Sequence, residues 1–295
     1  MPIQYSSKQH RMKTVTSKDN PVLKSARKLL TRKGRKEAGA FLVEGWKLIS
    51  EAAAAGFEID IVFINAGSLL RGETEEGEWA NEIELDDKLF CDLAQSVNPQ
   101  PLIAVVRRPG ADEMHDDPGA LWNNDHAAAG DDNSGVSNPA DRILILDRVG
   151  DPGNVGAMIR TALASGIDEV WCVKGTAEVF SDKVIRASAG AVFHKRIWEG
   201  LSVAECIDRA KGLGARLVVC DADGSDLFKT ALTGRLAAVI GNENAGPNEE
   251  FLGAADAIVG IPMARESESL NAAIAAAIVM YEALRQRNYA EYQGM

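Results

Sequence analysis

The sequence holds little that would let it work through metals, disulfides or membranes. Its 295 residues include four cysteines, at positions 91, 172, 206 and 220, with no CxxC spacing. Neither a zinc site nor a disulfide framework is expected, and a reducing cytoplasm suits such a chain. The longest apolar run, Ala272 to Met280, is far short of the ~20 residues that a membrane span needs. The start is polar and basic with no apolar stretch behind it, so no signal peptide is expected. A GxGxxG loop is also absent. That disfavours a Rossmann dinucleotide site and with it a nucleotide-dependent oxidoreductase.

Positive charge is scarce overall, but not everywhere. The net charge is −11, which alone speaks against nucleic acid as a partner. Residues 1–50 nevertheless carry 12 Lys/Arg against 3 Asp/Glu. An acidic protein with one concentrated basic segment can still grip a polyanion there. A solvated helix face or a basic tail explains the same charge, and composition does not decide between them.

Residues 110–140 contain no Lys or Arg and seven acidic residues among many Gly, Asn, Ala and Pro. Such a stretch buries too little apolar area to offset its ordering entropy. It is expected to be a flexible acidic linker, with Leu121-Trp122 as a weak docking point. It separates a small α/β domain over 13–109 from a larger domain over 141–295, and residues 1–12 read as a disordered leader. In the small domain Val22, Ala26, Leu29 and Leu30 fall at helical spacing among basic residues. Phe41–Val43, Ile59–Ile64 and Ile103–Val106 read as strands, and helices are expected from Glu44-Gly45 to Ala55 and at Leu89–Leu93.

The larger domain alternates. Apolar strands are expected at 143–147, 169–173, 216–220, 236–240 and 257–261. Helices are expected near 154–165, 182–190, 202–213, 248–253 and 269–287. Near-continuous apolar strands separated by helices indicate a mostly parallel sheet covered on both faces.

Three of its strands stop in polar, small-residue loops, which is where α/β proteins place ligands. Asp151-Pro152-Gly153-Asn154 forms a turn in which Asn154 is placed to cap the next helix. Arg160 points back toward that helix start, a natural arrangement for a phosphate or a developing oxyanion. An ordinary corner with a surface arginine fits equally well. The second loop, Gly241 to Pro247, has two glycines that let backbone approach a ligand, with Glu243 just past a buried strand. Glu243 also reads as a plain loop carboxylate. The third runs from Pro262-Met263 to Ser269-Leu270-Asn271, where Ser267 or Ser269 suits an N-cap for the Ala-rich helix that follows. That helix fits either a core or a subunit interface.

Together the loops resemble the three ordered motifs of the SpoU (TrmH) branch of the SPOUT RNA methyltransferases. The stretches are Asp147-x-Val149-x-Asp151-Pro152-x-Asn154-x-Gly156-Ala157-x-x-Arg160-Thr161-Ala162, then Ile240-Gly241-Asn242-Glu243-x-x-Gly246, then Ile261-Pro262-Met263 with Ser267-x-Ser269-Leu270-Asn271. The front segment is similar to the family's accessory RNA-binding domain through Asn20-Pro21-x-x-Lys24, Arg32-Lys33-x-Arg35 and Phe41-Leu42-Val43-Glu44-Gly45. The resemblance implies a trefoil-knotted, mostly parallel catalytic sheet, a rare exception to unknotted connections, behind an L30e-like N-terminal α/β domain. It implies S-adenosyl-L-methionine as cofactor, no metal, no membrane, and a homodimer formed through the C-terminal domain.

The activity implied is methylation of a ribose 2′-hydroxyl in RNA, with ribosomal RNA favoured by the separate N-terminal domain. A transfer-RNA enzyme and an inactive RNA-binding homologue are the alternatives. The resemblance assigns catalysis to Asn154, Arg160, Glu243, Ser269 and Asn271, cofactor binding to Gly241, Ile261, Met263 and Leu270, and RNA binding to Lys24, Arg27, Arg32, Lys33 and Arg35. Arg160 is the central residue. As arginine is a poor free base, it is expected to orient an RNA phosphate and stabilise the emerging alkoxide, and acceptance of the proton with phosphate assistance stays open beside that role. A local basic patch from Lys183, Arg186, Lys195 and Arg196 is expected to assist. Phe193 and His194 are read as packed residues in preference to base-stacking ones.

Overall fold

The computed structural model describes residues 13–67, 79, 81–108, 141–264 and 270–293, with side chains as far as residue 288. The expected leader, the linker with Leu121-Trp122, and Ser267 and Ser269 lie outside these residues. The chain divides into two compact units between Pro109 and Gly110.

The first unit is a five-stranded mixed sheet in the order β1-β4-β3-β5-β2. Its strands are β1 (Lys13–Val15), β2 (Ala40–Glu44), β3 (Ile59–Asn65), β4 (Glu82–Leu85) and β5 (Leu102–Arg107). Strand β5 runs antiparallel to β2 and β3, whereas β3, β4 and β1 run parallel. Strands β1 and β4 were not expected: β1 is only three residues long, and β4 carries a Glu-Ile-Glu-Leu alternation. Helices α1 (Pro21–Lys28), α2 (Arg32–Ala38), α3 (Trp46–Ala54) and α4 (Asp87–Cys91) accompany the sheet.

The basic segment expected to be one run of helix is two. Asn20 caps α1, its side chain accepting from the amides of Val22 (2.9 Å) and Leu23 (3.4 Å), with Pro21 preset for the first turn. Thr31 caps α2 by accepting from the Gly34 amide at 3.1 Å. The two helices meet so closely that a Cβ on Gly34 would stand 1.9 Å from the Lys28 carbonyl oxygen, so no other residue fits without moving α1. Leu23, Ala26 and Leu29 turn inward onto Phe63, Phe90 and Ile103.

The second unit is a six-stranded sheet in the order β11-β9-β10-β6-β7-β8, every pair parallel. Its strands are β6 (Arg142–Leu146), β7 (Glu169–Val173), β8 (Arg196–Leu201), β9 (Arg216–Asp226), β10 (Leu236–Ile240) and β11 (Ala257–Gly260). Between them run α5 (Pro152–Ala164), α6 (Asp182–Ala187), α7 (Val203–Gly212) and α8 (Glu249–Ala254), and α9 (Ala272–Gln293) follows. Ile143 and Ile145 of β6 join Ala237 and Val239 of β10 in one core with Trp171, Cys206 and Phe251. Ala238 of β10 and Val218 of β9 face the other way, onto Val279 and Ala283 of α9. Burial on both faces is what makes these strands read as continuous apolar runs.

Strand β8 was not expected. Its Arg-Ile-Trp-Glu-Gly-Leu sequence mixes charge with apolar side chains because it lies at the sheet edge. Phe193, just before it, is fully buried, as the packed reading expected, whereas His194 is exposed and departs from it. Among the described residues no helix is long and apolar enough to cross a membrane.

Candidate functional site

The three motif loops emerge from the carboxyl ends of β6, β10 and β11. Immediately after β6 stands Asp147, whose side chain is completely buried. Its carboxylate accepts from Arg148 Nε at 2.9 Å and Nη2 at 3.0 Å, and from the Asn248 amide at 2.7 Å. The Asp147 hydrogen bond is the main cause that raises the Arg148 guanidinium above its ordinary value, against the effect of burial. Arg148 adopts a left-handed backbone (φ 58°) and also donates to the Gly246 carbonyl at 3.3 Å. This buried ion pair fastens the loop after β6 to the loop after β10. Arg148 was not read from the sequence. Its positive φ leaves no mark in a non-glycine residue, and the only legible signal was a carboxylate, Asp147, closing an apolar strand.

The loop after β10 doubles back on itself. A Cβ on Gly241 would lie 2.3 Å from the Pro247 nitrogen and 2.5 Å from the Gly246 carbonyl carbon, so the position demands glycine. Asn242 and Gly246 pair backbone to backbone at 3.2 and 3.0 Å. The Asn242 side chain accepts from the amides of Asn244 and Ala245, both at 3.0 Å, and donates to the Arg148 carbonyl at 2.8 Å. That leaves Glu243 at the tip, facing the start of α5.

At that helix start the expected cap is corrected. Asp151, not Asn154, is the N-cap, accepting from the Asn154 amide at 2.8 Å. The Asn154 side chain is therefore available for other partners. Its Nδ2 donates to Glu243 Oε1 at 2.9 Å, and its Oδ1 accepts from Asn271 Nδ2 at 3.0 Å. Asn271 in turn caps α9, accepting from the amides of Ala273 (2.9 Å) and Ile274 (3.3 Å). One residue from each of the three motifs thus joins a single chain, Glu243–Asn154–Asn271, in which every donor and acceptor direction is assigned by its partners.

Glu243 Oε2 accepts from the Gly150 amide at 3.3 Å. Burial by itself would raise the Glu243 carboxyl. The hydrogen bonds from Asn154 and from the backbone of Glu243, Gly150 and Asp151 outweigh it and hold the group below its ordinary value of 4.5. Glu243 is consequently a committed anion near neutrality, saturated with donors, and a poor proton acceptor.

Arg160 lies on α5, exposed to solvent. It enters no hydrogen bond or ion pair among the described residues, so its guanidinium is free to take an external anion. The assisting patch expected around it is largely spent elsewhere. Arg186 pairs with Asp182 at 2.7 Å, Arg196 lies 3.7 Å from the buried Glu169, and Lys195 donates to the Ile167 carbonyl. Burial also lowers the Lys195 ammonium from its ordinary value. Only Lys183 of the four is both exposed and without a partner among the described residues.

Of the residues expected to hold the cofactor, Ile261 is half-buried, while Met263 and Leu270 are exposed large apolar side chains, at 39 % and 38 %. The backbone groups of Ile261 to Ala264 make no backbone hydrogen bond among the described residues. Main-chain groups with no backbone partner among the described residues, together with exposed apolar side chains, fit an adenosine-sized ligand. Among the described residues no group of three His, Cys, Asp or Glu is arranged to hold a metal.

In the first unit the basic residues divide. Arg27 is tied to Asp92 (2.9 Å) and the Lys18 carbonyl (3.1 Å), and Arg35 to the Leu29 carbonyl (2.8 Å). Lys24 pairs with Asp19 at 2.8 Å, and Lys33 lies 3.7 Å from Glu37. Arg32 is exposed without a partner among the described residues, as are Lys28 and Lys36, which were not singled out from the sequence.

Comparison with known proteins agrees with this geometry. The model of the SpoU rRNA Methylase family matches residues 141–281, and that of the MRM3-like substrate binding domain matches residues 20–104. The chain is 32% identical to the 23S rRNA (uridine(2479)-2′-O)-methyltransferase of Streptomyces viridochromogenes, over 87% of this chain and 86% of that protein. It is 28% identical to the 23S rRNA (guanosine(2553)-2′-O)-methyltransferase RlmP of Bacillus subtilis, over 92% of this chain and 98% of that one. Among solved structures, the AdoMet-bound rRNA methyltransferase of Sinorhizobium meliloti superposes with a TM-score of 0.75 at 28% identity, covering 93% of this chain and 98% of that one. The SpoU methyltransferase AviRb of Streptomyces viridochromogenes in complex with AdoMet gives 0.73 at 30% identity, covering 92% and 100%. With a shared fold, the motif residues drawn into one hydrogen-bonded chain, and relatives matched along nearly their whole length, this chain belongs to the SpoU rRNA methylase family.

Proposed function

We propose that the protein is an S-adenosyl-L-methionine-dependent RNA methyltransferase that modifies a ribose 2′-hydroxyl of ribosomal RNA. The observation that carries this reading is the Glu243–Asn154–Asn271 chain at the start of the helix that bears Arg160, which is exposed and without a partner among the described residues. An inactive RNA-binding homologue would have no need of so fully determined a polar network at an exposed surface. The family membership and the ribosomal-RNA relatives favour ribosomal over transfer RNA.

When bound, S-adenosyl-L-methionine supplies an activated methyl group on a sulfonium. The Gly241 loop, Ile261, Met263 and Leu270 would hold it. What remains for the chain is to place the ribose oxygen in line and to stabilise the charge that develops there. Arg160 would orient an RNA phosphate and stabilise the emerging alkoxide. Glu243, already saturated with donors, fixes the Asn154 amide, and Asn154, Asn271 and Ser269 position the ribose. In the first unit Lys24, Arg27, Arg32, Lys33 and Arg35 form the RNA-facing set, joined by the exposed Lys28 and Lys36. We place the RNA-binding domain at 13–109 and the catalytic domain at 141–295, joined by a linker.

The knot, the dimer and the L30e-like class belong to the same proposal. Strand β11 lies at the far edge of the sheet, yet Asn271 bonds to Asn154 at the start of α5, and α9 packs against α5. A chain that returns inward in this way supports threading into a trefoil knot. Leu163 of α5 and Ile274 and Tyr281 of α9 are exposed at 39, 53 and 50 %, an apolar face that supports a homodimer through the catalytic domain. The mixed sheet and short helices of the first unit support the L30e-like reading, and the substrate supports a cytoplasmic location. Isothermal calorimetry tests the whole: one S-adenosyl-L-methionine site per subunit is expected, and no binding at millimolar cofactor would overturn the reading.

A further inference from the structure

The motif loops leave from the carboxyl ends of β6 and β10. At the amino ends of the same strands lies a cavity of about 460 Å³, lined chiefly by Arg142, Arg235, Arg287, Asp141 and Thr233. Three arginines on one small cavity are unusual because their charges repel, and here, among the described residues, only Arg235 is hydrogen-bonded to a carboxylate. The Nε and Nη1 of Arg142 are buried and have no hydrogen-bond acceptor. The Asp168 Oδ2 carboxylate oxygen stands 3.6 Å from Nε, at ion-pair separation but beyond hydrogen-bond distance. That oxygen already accepts from the amides of Asp141 (3.0 Å) and Arg142 (2.8 Å).

Arg287 makes no hydrogen bond or ion pair among the described residues. Its Nη2 lies 3.7 Å, and Arg142 Nη1 3.9 Å, from the point where a Cβ on Gly166 would stand, so the two guanidinium ends are within about 8 Å of each other. Arg235 is anchored at one side, Nε to Asp141 (2.8 Å) and Nη1 to the Leu213 carbonyl (2.9 Å). Lys195, held on the Ile167 carbonyl, adds a fourth cation close by. Four cations therefore stand against two carboxylates, Asp141 and Asp168, and both carboxylates are engaged.

Buried guanidinium donors without acceptors, converging with like charge, are the arrangement that a tetrahedral oxyanion resolves, since it accepts several charge-assisted hydrogen bonds at once. We propose that this cavity binds an oxyanion of phosphate chemistry, contributed either by the RNA backbone or by free phosphate. The anion would enter between Arg142 and Arg287, leaving the Asp141–Arg235 pair intact. The site lies at the opposite end of the strands from the methyl-transfer loops. Its RNA arm rests on the proposed function, and its free-phosphate arm does not.

The test uses the full chain and two variants, Arg287→Gln, which removes one donor fork, and Thr233→Glu, which sets a carboxylate at the exposed rim of the cavity. Thermal unfolding is followed while inorganic phosphate replaces chloride at constant ionic strength. In parallel, binding of a ribosomal-RNA transcript is measured across a salt series. A saturable rise in Tm that both variants abolish, with the RNA salt dependence unchanged, supports a free-phosphate site. A fall of about one in the slope of log affinity against log salt in both variants supports an RNA phosphate held there. If phosphate gives no saturable protection, or protection that both variants retain, and the salt slope does not move, the proposal is overturned. Cofactor calorimetry on the same samples separates that outcome from failure of the methyltransferase reading.

Discussion

Replacing Asn154 by Asp changes one atom type and should turn the centre of the site against itself. The side chain keeps its shape, but the group now facing Glu243 Oε1 at 2.9 Å is a carboxylate oxygen instead of an amide donor. Coulomb's law gives about 1.4 kcal/mol of repulsion at that separation for a dielectric of ~80, and about 2.9 kcal/mol for ~40. The solvent exposure of Glu243 argues for the lower end. Loss of a hydrogen bond to a charged acceptor adds about 1.5 kcal/mol. The expected cost at pH 8 is therefore about 3 kcal/mol, read as the shift in urea midpoint at constant m.

The sign of its pH dependence is fixed. Two carboxylates in contact raise the apparent pKa of the pair in the folded state. The penalty is present above that raised value and disappears as pH falls, because one carboxyl takes a proton and donates to the other. Asn154→Asp should therefore recover toward the wild type between pH 8 and pH 5, whereas Asn154→Ala, which creates no like-charge pair, should not. Methyl transfer at pH 8 should fall about 100-fold, the size of effect that losing one preorganised polar group produces. An Asp variant as stable as the wild type at pH 8, or one whose deficit is the same at pH 5, would refute the Glu243–Asn154 contact.

Gly241→Ala forces a Cβ to within 2.3 Å of the Pro247 nitrogen, and the loop must shift to admit it; S-adenosyl-L-methionine affinity by calorimetry should drop at least tenfold while far-ultraviolet circular dichroism stays native. The wild-type stability contributed by Glu243 is present in full above its ordinary value of 4.5 and is lost as pH falls through the lowered folded value; Glu243→Gln should flatten the stability profile in that acid window and leave it parallel to the wild type above pH 6. Replacing Lys28, Arg32 and Lys36 together by Ala should weaken RNA binding and reduce its salt slope by roughly two to three, and an unchanged slope would contradict an electrostatic grip by this unit.

How much of this was legible in the sequence depended on what each residue packs against. The four central strands of the catalytic unit were readable because both faces are buried, and β11, at one edge, through its short apolar run; β8, at the other edge, was not, since an edge strand can carry Arg196, Glu199 and Gly200 without cost. The break between α1 and α2 turned on Thr31 as a cap and on Gly34 touching the Lys28 carbonyl, a tertiary contact that helical spacing cannot register. In the site, the residue types and their order in the motifs were visible, but their division of labour was not. Asp151 and Asn154 are both good capping residues, and only the structure shows that Asp151 takes the cap and releases Asn154 toward Glu243 and Asn271. The Asp147–Arg148 pair went unread for a similar reason: adjacent charges in a loop look like surface until one of them is found fully buried.

The central claim is that Arg160 acts on the RNA, while the Gly241 and Ile261 loops hold the cofactor. It is tested most directly by transfer of a radiolabelled methyl group from S-adenosyl-L-methionine to ribosomal RNA, with the product mapped as a 2′-O-methyl nucleotide, for the wild type and Arg160→Ala side by side. A single labelled ribose is expected with the wild type, and loss of label with Arg160→Ala while its cofactor affinity stays within about threefold. Label on a base, or an Arg160→Ala protein that still methylates or that loses cofactor binding to the same degree, would contradict it.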